Sequence, residues 1–183
     1  MTQNNYESAM QINLAARECL QKGDLHGALG NLSRALELLP EDQVESKARL
    51  HSNKGLIEAR LKAYDDALSS FRQAAGIYER LGERIALGEQ IGNAGSVYRD
   101  MEQWDAALEN YSKSLSVFQA VDHKKGIADQ YCNIGYVHSQ QRRPESALQY
   151  FEDAKVLYDA AGEQARSQLC EQNIQHLKSL LEK

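Results

Sequence analysis

Proline is almost missing from this chain: only Pro40 and Pro144 occur, and both sit beside predicted helix boundaries. Proline is tolerated in a first helical turn and not in a helix interior, so long helical runs between the two are permitted. Cysteine is scarce as well. Cys19, Cys132 and Cys170 are odd in number, far apart in sequence and in no CxxC or metal-ligand spacing. They are expected to act as small buried or half-buried hydrophobes in a reducing compartment, which leaves no disulfide framework and no metal site. No segment approaches the roughly 18 consecutive apolar residues that a bilayer span needs. The opening Met1-Thr2-Gln3-Asn4-Asn5-Tyr6-Glu7 has neither a basic start nor an apolar stretch of signal-peptide length. The expectation is a soluble, cytoplasmic protein with no membrane partner.

Positive charge is also in deficit. Against 26 acidic residues stand 21 basic ones, for a net charge of −5. Such a balance argues against a surface that neutralises many phosphates, so no nucleic acid is expected as a partner. His26, His51, His123, His138 and His176 share no HExxH or HxxxH spacing, and no phosphate-loop, dinucleotide-binding or GxSxG stretch occurs. The many carboxylates single out no acid and base pair. No catalytic residue, metal ligand or cofactor is assigned, and the chain is not expected to be an enzyme.

What is abundant is repetition. Gly55, Gly95 and Gly135 recur every 40 residues, and Ala67, Ala107 and Ala147 follow them by twelve. Phe71, Tyr111 and Phe151 come next, then Ala74, Ser114 and Ala154. A period of this size means stacked supersecondary units and directs attention to an extended surface. Apolar positions within each unit recur at helical spacing, as in Ala67, Leu68, Phe71, Ala74, Ala75 and Tyr78, without strand-like alternation. The chain is therefore expected to be all-α. Antiparallel pairs are predicted at about 4–21 with 25–38, 42–62 with 64–80, 84–101 with 104–120 and 124–141 with 144–160, followed by a single helix at about 163–182. Turn signals at Lys22-Gly23-Asp24, Gly82 and Gly162 agree with those boundaries, while Asp122 takes the place of glycine at the middle handover. A glycine inside a helix costs about 0.5–1 kcal/mol relative to alanine, so three at one register require an offset. Close approach by Phe71, Tyr111 and Phe151 supplies it.

The succession Gly95-Ser96-Val97-Tyr98, Trp104, Ala107-Leu108, Tyr111 and Ser114 resembles the tetratricopeptide repeat. Gly135, His138, Ala147-Leu148, Phe151 and Ala154 restate it, as do Gly55, Tyr64, Ala67-Leu68, Phe71 and Ala74. A weaker first unit has Ala16, Leu25, Ala28-Leu29, Leu32, Ala35 and Pro40. Glu58 and His138 depart from the usual tyrosine, and Pro144 from the usual aromatic. The resemblance implies a right-handed α-solenoid forming one domain over 1–183, with repeats at about 4–40, 42–81, 84–121 and 124–161 and a capping helix at about 163–182. The 40-residue spacing is similar to the longer-helix subtype of spindle-orientation adaptors, kinesin light chains and bacterial peptide-sensing regulators.

Asn53, Asn93 and Asn133 lie two residues before the three glycines, and Asn173 continues the step. Asparagine is a mediocre helix former, and packing two helices does not require it. Each amide offers two donors and an acceptor, which suits the N–H and C=O groups of an extended peptide. The resemblance implies an asparagine ladder of this kind on a concave face. The other reading is that these amides bond a neighbouring helix or water and set the stacking. Arg49, Glu89 and Asp129 lie four residues before an asparagine, and Ser96 and Tyr136 three after, on shared helix faces. Arg60 and Arg99 are further positions for pairing with an acidic peptide group. Gly92 and Ser96 flank Asn93, where a recess for a bulky guest side chain is expected; a tight helix contact at Gly92 is the alternative. Glu89 and Asp129 have the wrong sign for the family's carboxylate clamp, so that mode is rejected. The expected function is a non-catalytic adaptor that holds a peptide segment of a partner protein. Self-assembly into a homo-oligomer through the terminal helices is second, with Ile174, Leu177, Leu180 and Leu181 in question, and an enzymatic or small-molecule sensor role, which would need a deep enclosed pocket, third.

Overall fold

The computed structural model describes residues 2–182; Met1 and Lys183, the ends of the expected domain, lie outside the described residues. These residues form α1 (Thr2–Gln21), α2 (Leu25–Leu38), α3 (Val44–Arg60), α4 (Tyr64–Leu81), α5 (Arg84–Asp100), α6 (Trp104–Ala120), α7 (Lys124–Gln140), α8 (Pro144–Ala160) and α9 (Gln164–Leu181). Among the described residues there is no strand, and no helix is long and apolar enough to cross a membrane. Each helix end falls within about two residues of its expected place, as the 3.6-residue periodicity requires.

The helices gather into two compact units, one running to Glu83 and the other beginning at Arg84. In the first, α1 packs on α2 and α3 on α4. Ala9, Ala16, Ala28, Leu32, Ala35, Leu50 and Ile57 form a core of small and branched side chains that lets the helices approach closely. Phe71 of α4 lies where a Cβ on Gly55 would stand 2.8 Å from its ring. Glu58, at the register where a tyrosine was expected, is only 2 % exposed. Its carboxylate accepts from Lys54 Nζ at 2.5 Å and from Ser70 Oγ at 2.6 Å. A buried carboxylate survives because both oxygens are engaged, one by a cation.

In the second unit α5 packs on α6, α7 on α8, and α9 covers α8. Ala107, Tyr111, Ile134 and Val137 form one core cluster, and Ala128, Ala147, Phe151, Ala154, Tyr158, Cys170, Ile174 and Leu177 another. The apolar residues of α9 divide: Ile174 and Leu177 are buried, whereas Leu180 and Leu181 remain exposed.

Apart from the α2–α3 connection, the turns between these helices share one geometry. Gly23, Gly82 and Gly162 have positive φ, and so do Lys62, Glu102, Asp122 and Arg142, without glycine. Asp122 therefore keeps the left-handed turn of the glycine handovers. Its helix end is closed by the His123 N–H, which donates to the Phe118 carbonyl at 2.9 Å; Gln103 N–H does the same to Tyr98. Both are the six-to-one bond of a Schellman ending.

His138 stacks on Tyr150 with ring centroids 5.4 Å apart, and its Nδ1 is buried without a hydrogen bond. Burial, and then the charge of Arg143, lower its pKa below the usual 6.5. His51 is lowered for the same leading reason, followed by Lys54. Below the unfolded value the unfolded chain takes up protons that the folded chain refuses, so stability falls as pH drops beneath about 6.5 and levels off only under the folded pKa. The urea midpoint is expected to be lower at about pH 5.5 than at about pH 7.5. His138→Tyr, which installs the residue that Tyr98 provides at the same register, is expected to flatten that slope. An unchanged slope would contradict the assignment.

Candidate functional site

Gly88, Gly92 and Gly95 put three missing side chains along α5, and each is used differently. A Cβ on Gly88 would stand 2.8 Å from the Phe118 ring, and one on Gly95 2.8 Å from the Tyr111 ring. These are contacts with α6. At Gly92 a Cβ would stand 3.1 Å from Gln130 Oε1 and 3.2 Å from Ser114 Oγ, so the gap there opens toward polar atoms of α6 and α7. Ser114 Oγ donates to the Gly88 carbonyl at 2.7 Å, tying α6 to α5.

Beside Gly92 lies an open cavity of about 300 Å³, lined from α5 by Glu89, Gly92, Asn93 and Ser96 and from α7 by Asp129, Gln130, Cys132 and Asn133. Phe118, Tyr158 and Arg166 complete its wall. Six of the residues expected from the sequence thus line one cavity: Glu89, Gly92, Asn93, Ser96, Asp129 and Asn133. Asn93 and Asn133 are half-buried. At Gly92 the missing side chain admits Gln130, and the residue also borders the cavity.

The other expected residues lie elsewhere. Arg49 and Asn53 are exposed on α3 in the first unit, and Arg49 pairs with Glu45 at 3.3 Å. Asn173 is half-buried on α9 and does not line the cavity. Tyr136 is exposed, with the Arg99 guanidinium 5.6 Å from its ring centroid. Arg99 also donates to Asp100 at 2.8 Å, so a neighbour already holds its charge.

Electrostatics inside the cavity centre on Asp129. Its Oδ1 accepts from Tyr158 Oη at 2.5 Å and from the Arg166 guanidinium, which lies 5.8 Å from the Tyr158 ring centroid. Burial, then the hydrogen bond to Asp129, push the Tyr158 phenol well above its usual value and keep it a donor. Gln130 is 5 % exposed, and its Oε1 has no hydrogen-bond partner. Cys132 Sγ lies 3.0 Å from Cys170 Sγ, so two sulfurs far apart in sequence share one proton-bearing contact. That bond lowers the Cys170 pKa and, with burial, raises that of Cys132. Among the described residues no group of three His, Cys, Asp or Glu side chains is placed to hold a metal ion.

Sequence reasoning passed over Phe118, Gln130, Cys132, Tyr158 and Arg166 as site residues. Three of them carried a signal. Gln130 stands 40 residues after Gln90, and Tyr78, Phe118 and Tyr158 form another 40-residue series. Arg166 had none, because its partner Asp129 lies two helices earlier.

Comparison with known proteins follows the same lines. Residues 90–159 match the tetratricopeptide repeat family. Aspartyl phosphate phosphatase F from Bacillus subtilis superposes with a TM-score of 0.81 at 19% identity, over 97% of this chain and 50% of that one. The apo form of RapI gives 0.86 at 14% identity, over 100% and 50%. BtubC (BKLC) from P. vanneervenii gives 0.63 at 18% identity, over 97% and 82%. The chain spans about half the length of the first two. No curated protein matches the sequence. At these identities the solved structures speak for the fold, and with the family match over residues 90–159 they agree on tetratricopeptide-like helical repeats.

Proposed function

We propose that the second unit is a non-catalytic scaffold, cytoplasmic in setting, whose cavity between α5 and α7 holds a peptide segment of a partner protein. The observation that carries the reading is that Asn93 and Asn133, one repeat apart, line the same open cavity. Neither side-chain amide is tied to a neighbouring helix by a hydrogen bond, so both can turn donors and acceptors toward a guest backbone. An open trough suits holding a chain segment better than enclosing a reaction. The phosphatase name belongs to a protein of which this chain matches half, and it assigns no reaction here. A homo-oligomer through α9 stands second, on the exposed Leu180 and Leu181.

The test is selection of random peptides on the immobilised protein, parent against the Asn93→Ala and Asn133→Ala double variant. The double variant is expected to lose at least about tenfold in affinity for the selected peptides, as removing two backbone-directed hydrogen-bond pairs implies. Its thermal midpoint is expected to stay close to the parent's, since neither amide bonds the fold. Equal capture by both proteins would sink the reading.

A further inference from the structure

The cavity has more acceptors than its own donors use. Glu89 is exposed at its edge with no ion pair or hydrogen bond. Asp129 takes Tyr158 and Arg166 on Oδ1 alone, which leaves Oδ2 unengaged. Gln130 is the least expected member: its carbonyl is buried, faces the gap beside Gly92 and has no donor. A buried carbonyl left without a partner costs about 1–3 kcal/mol, and binding a donor there recovers that cost. Charge points the same way. Two carboxylates, Glu89 and Asp129, face the single cation Arg166, whose guanidinium is already shared with Asp129 and lies 3.8 Å from Glu163.

We infer that this cavity selects a guest peptide by a cationic side chain, a guanidinium before an ammonium, seated against Glu89, Asp129 and the Gln130 carbonyl. The inference rests on the peptide-binding reading above and adds to it the chemistry of the residue recognised. A guanidinium presents five donors in a planar fork and can meet several acceptors at once, whereas an ammonium is a compact point charge. An acidic guest residue would meet Glu89 with the wrong sign. An apolar one would leave the Gln130 carbonyl unpaired and cover it from water. Glu89 lies three residues before Gly92 and four before Asn93, so the asparagine that holds the guest backbone and the carboxylate that meets its side chain share one helix face.

The experiment is selection of random decapeptides on the parent chain, followed by fluorescence anisotropy with the best peptide made with arginine, citrulline or glutamate at its most enriched position. Citrulline keeps the shape and removes the charge. One basic position is expected to be enriched, and citrulline is expected to weaken binding about tenfold, as loss of a charge-assisted pair implies. On Glu89→Gln the penalty is expected to shrink below about threefold. Glu89 is exposed and unpaired, so this variant keeps the fold, which circular dichroism checks. Gln130→Leu is expected to weaken the arginine peptide while raising the thermal midpoint, because it removes a buried unpaired carbonyl; a lowered midpoint would contradict the role given to Gln130. Selected peptides with no basic position that still require Asn93 and Asn133 would overturn the cationic inference and leave the peptide trough standing. A basic position equally strong on Glu89→Gln would overturn the seat assigned here. No enrichment, or equal capture by the double asparagine variant, would overturn both readings.

Discussion

Phe118→Ala is expected to lower the free energy of unfolding by about 3–5 kcal/mol, toward the upper part of the range for buried aromatics. The reason lies in what surrounds the ring. Phe118 is 2 % exposed, and a Cβ on Gly88 of α5 or on Gly126 of α7 would stand 2.8 Å or 2.6 Å from it. One side chain of α6 thus fills the space that two glycines on different helices leave empty. With the ring gone, neither glycine has a side chain that can swing in, and the hole persists as a cavity. Urea unfolding followed by circular dichroism measures the loss. A cost below about 1 kcal/mol would mean that the helices close over the gap. Because Phe118 also lines the candidate site, the same change is expected to widen the trough, and peptides selected on the parent should bind the variant less well even well below its unfolding midpoint.

The second large effect is a contrast between two identical substitutions at one register. Gly95→Ala would place its methyl 2.8 Å from two carbons of the Tyr111 ring. Tyr111 is fully buried, and its hydroxyl donates to Ser96 at 3.2 Å, so the ring has little freedom to withdraw. Overpacking of this kind costs about 1–3 kcal/mol, and the better helix propensity of alanine offsets at most about 1. A net loss of about 1–2 kcal/mol is expected. At Gly135 the nearest atoms to a new methyl are the Ala147 carbonyl and Tyr150 Cβ at 3.3 Å, then Phe151 at 3.4 Å. A shift of a few tenths of an ångström accommodates it, and the propensity gain is similar. Gly135→Ala is therefore expected to change stability by no more than about 0.5 kcal/mol. Thermal unfolding of the two variants side by side decides the matter, and equal losses would show that close ring contact does not set the cost.

That contrast also marks how far the sequence could be read. Repeated glycine, alanine and aromatic positions announce the helix pairs, because packing at fixed register leaves a periodic trace. They do not reveal that Gly95 is tighter than Gly135, since that depends on ring placement on the second helix. Gly126 escaped notice because it belongs to no glycine series; the side chains of Phe118 and His123 both crowd it. At the candidate site, Glu89, Asn93, Asp129 and Asn133 were legible from helix-face spacing, which is local. The pairing of Tyr158 and Arg166 with Asp129 was not, because they reach it from α8 and α9. Glu58 was visible as an exception to the aromatic pattern. Its compensation by Lys54 is local spacing, whereas Ser70 comes from the opposing helix.

The left-handed turns at Lys62, Glu102, Asp122 and Arg142 are all exposed. A side chain in that conformation carries a backbone penalty of about 1–2 kcal/mol. Robustness of the array is thereby adjustable at its corners: natural drift or an engineer can relieve such penalties one elbow at a time, while the lining of the cavity stays untouched.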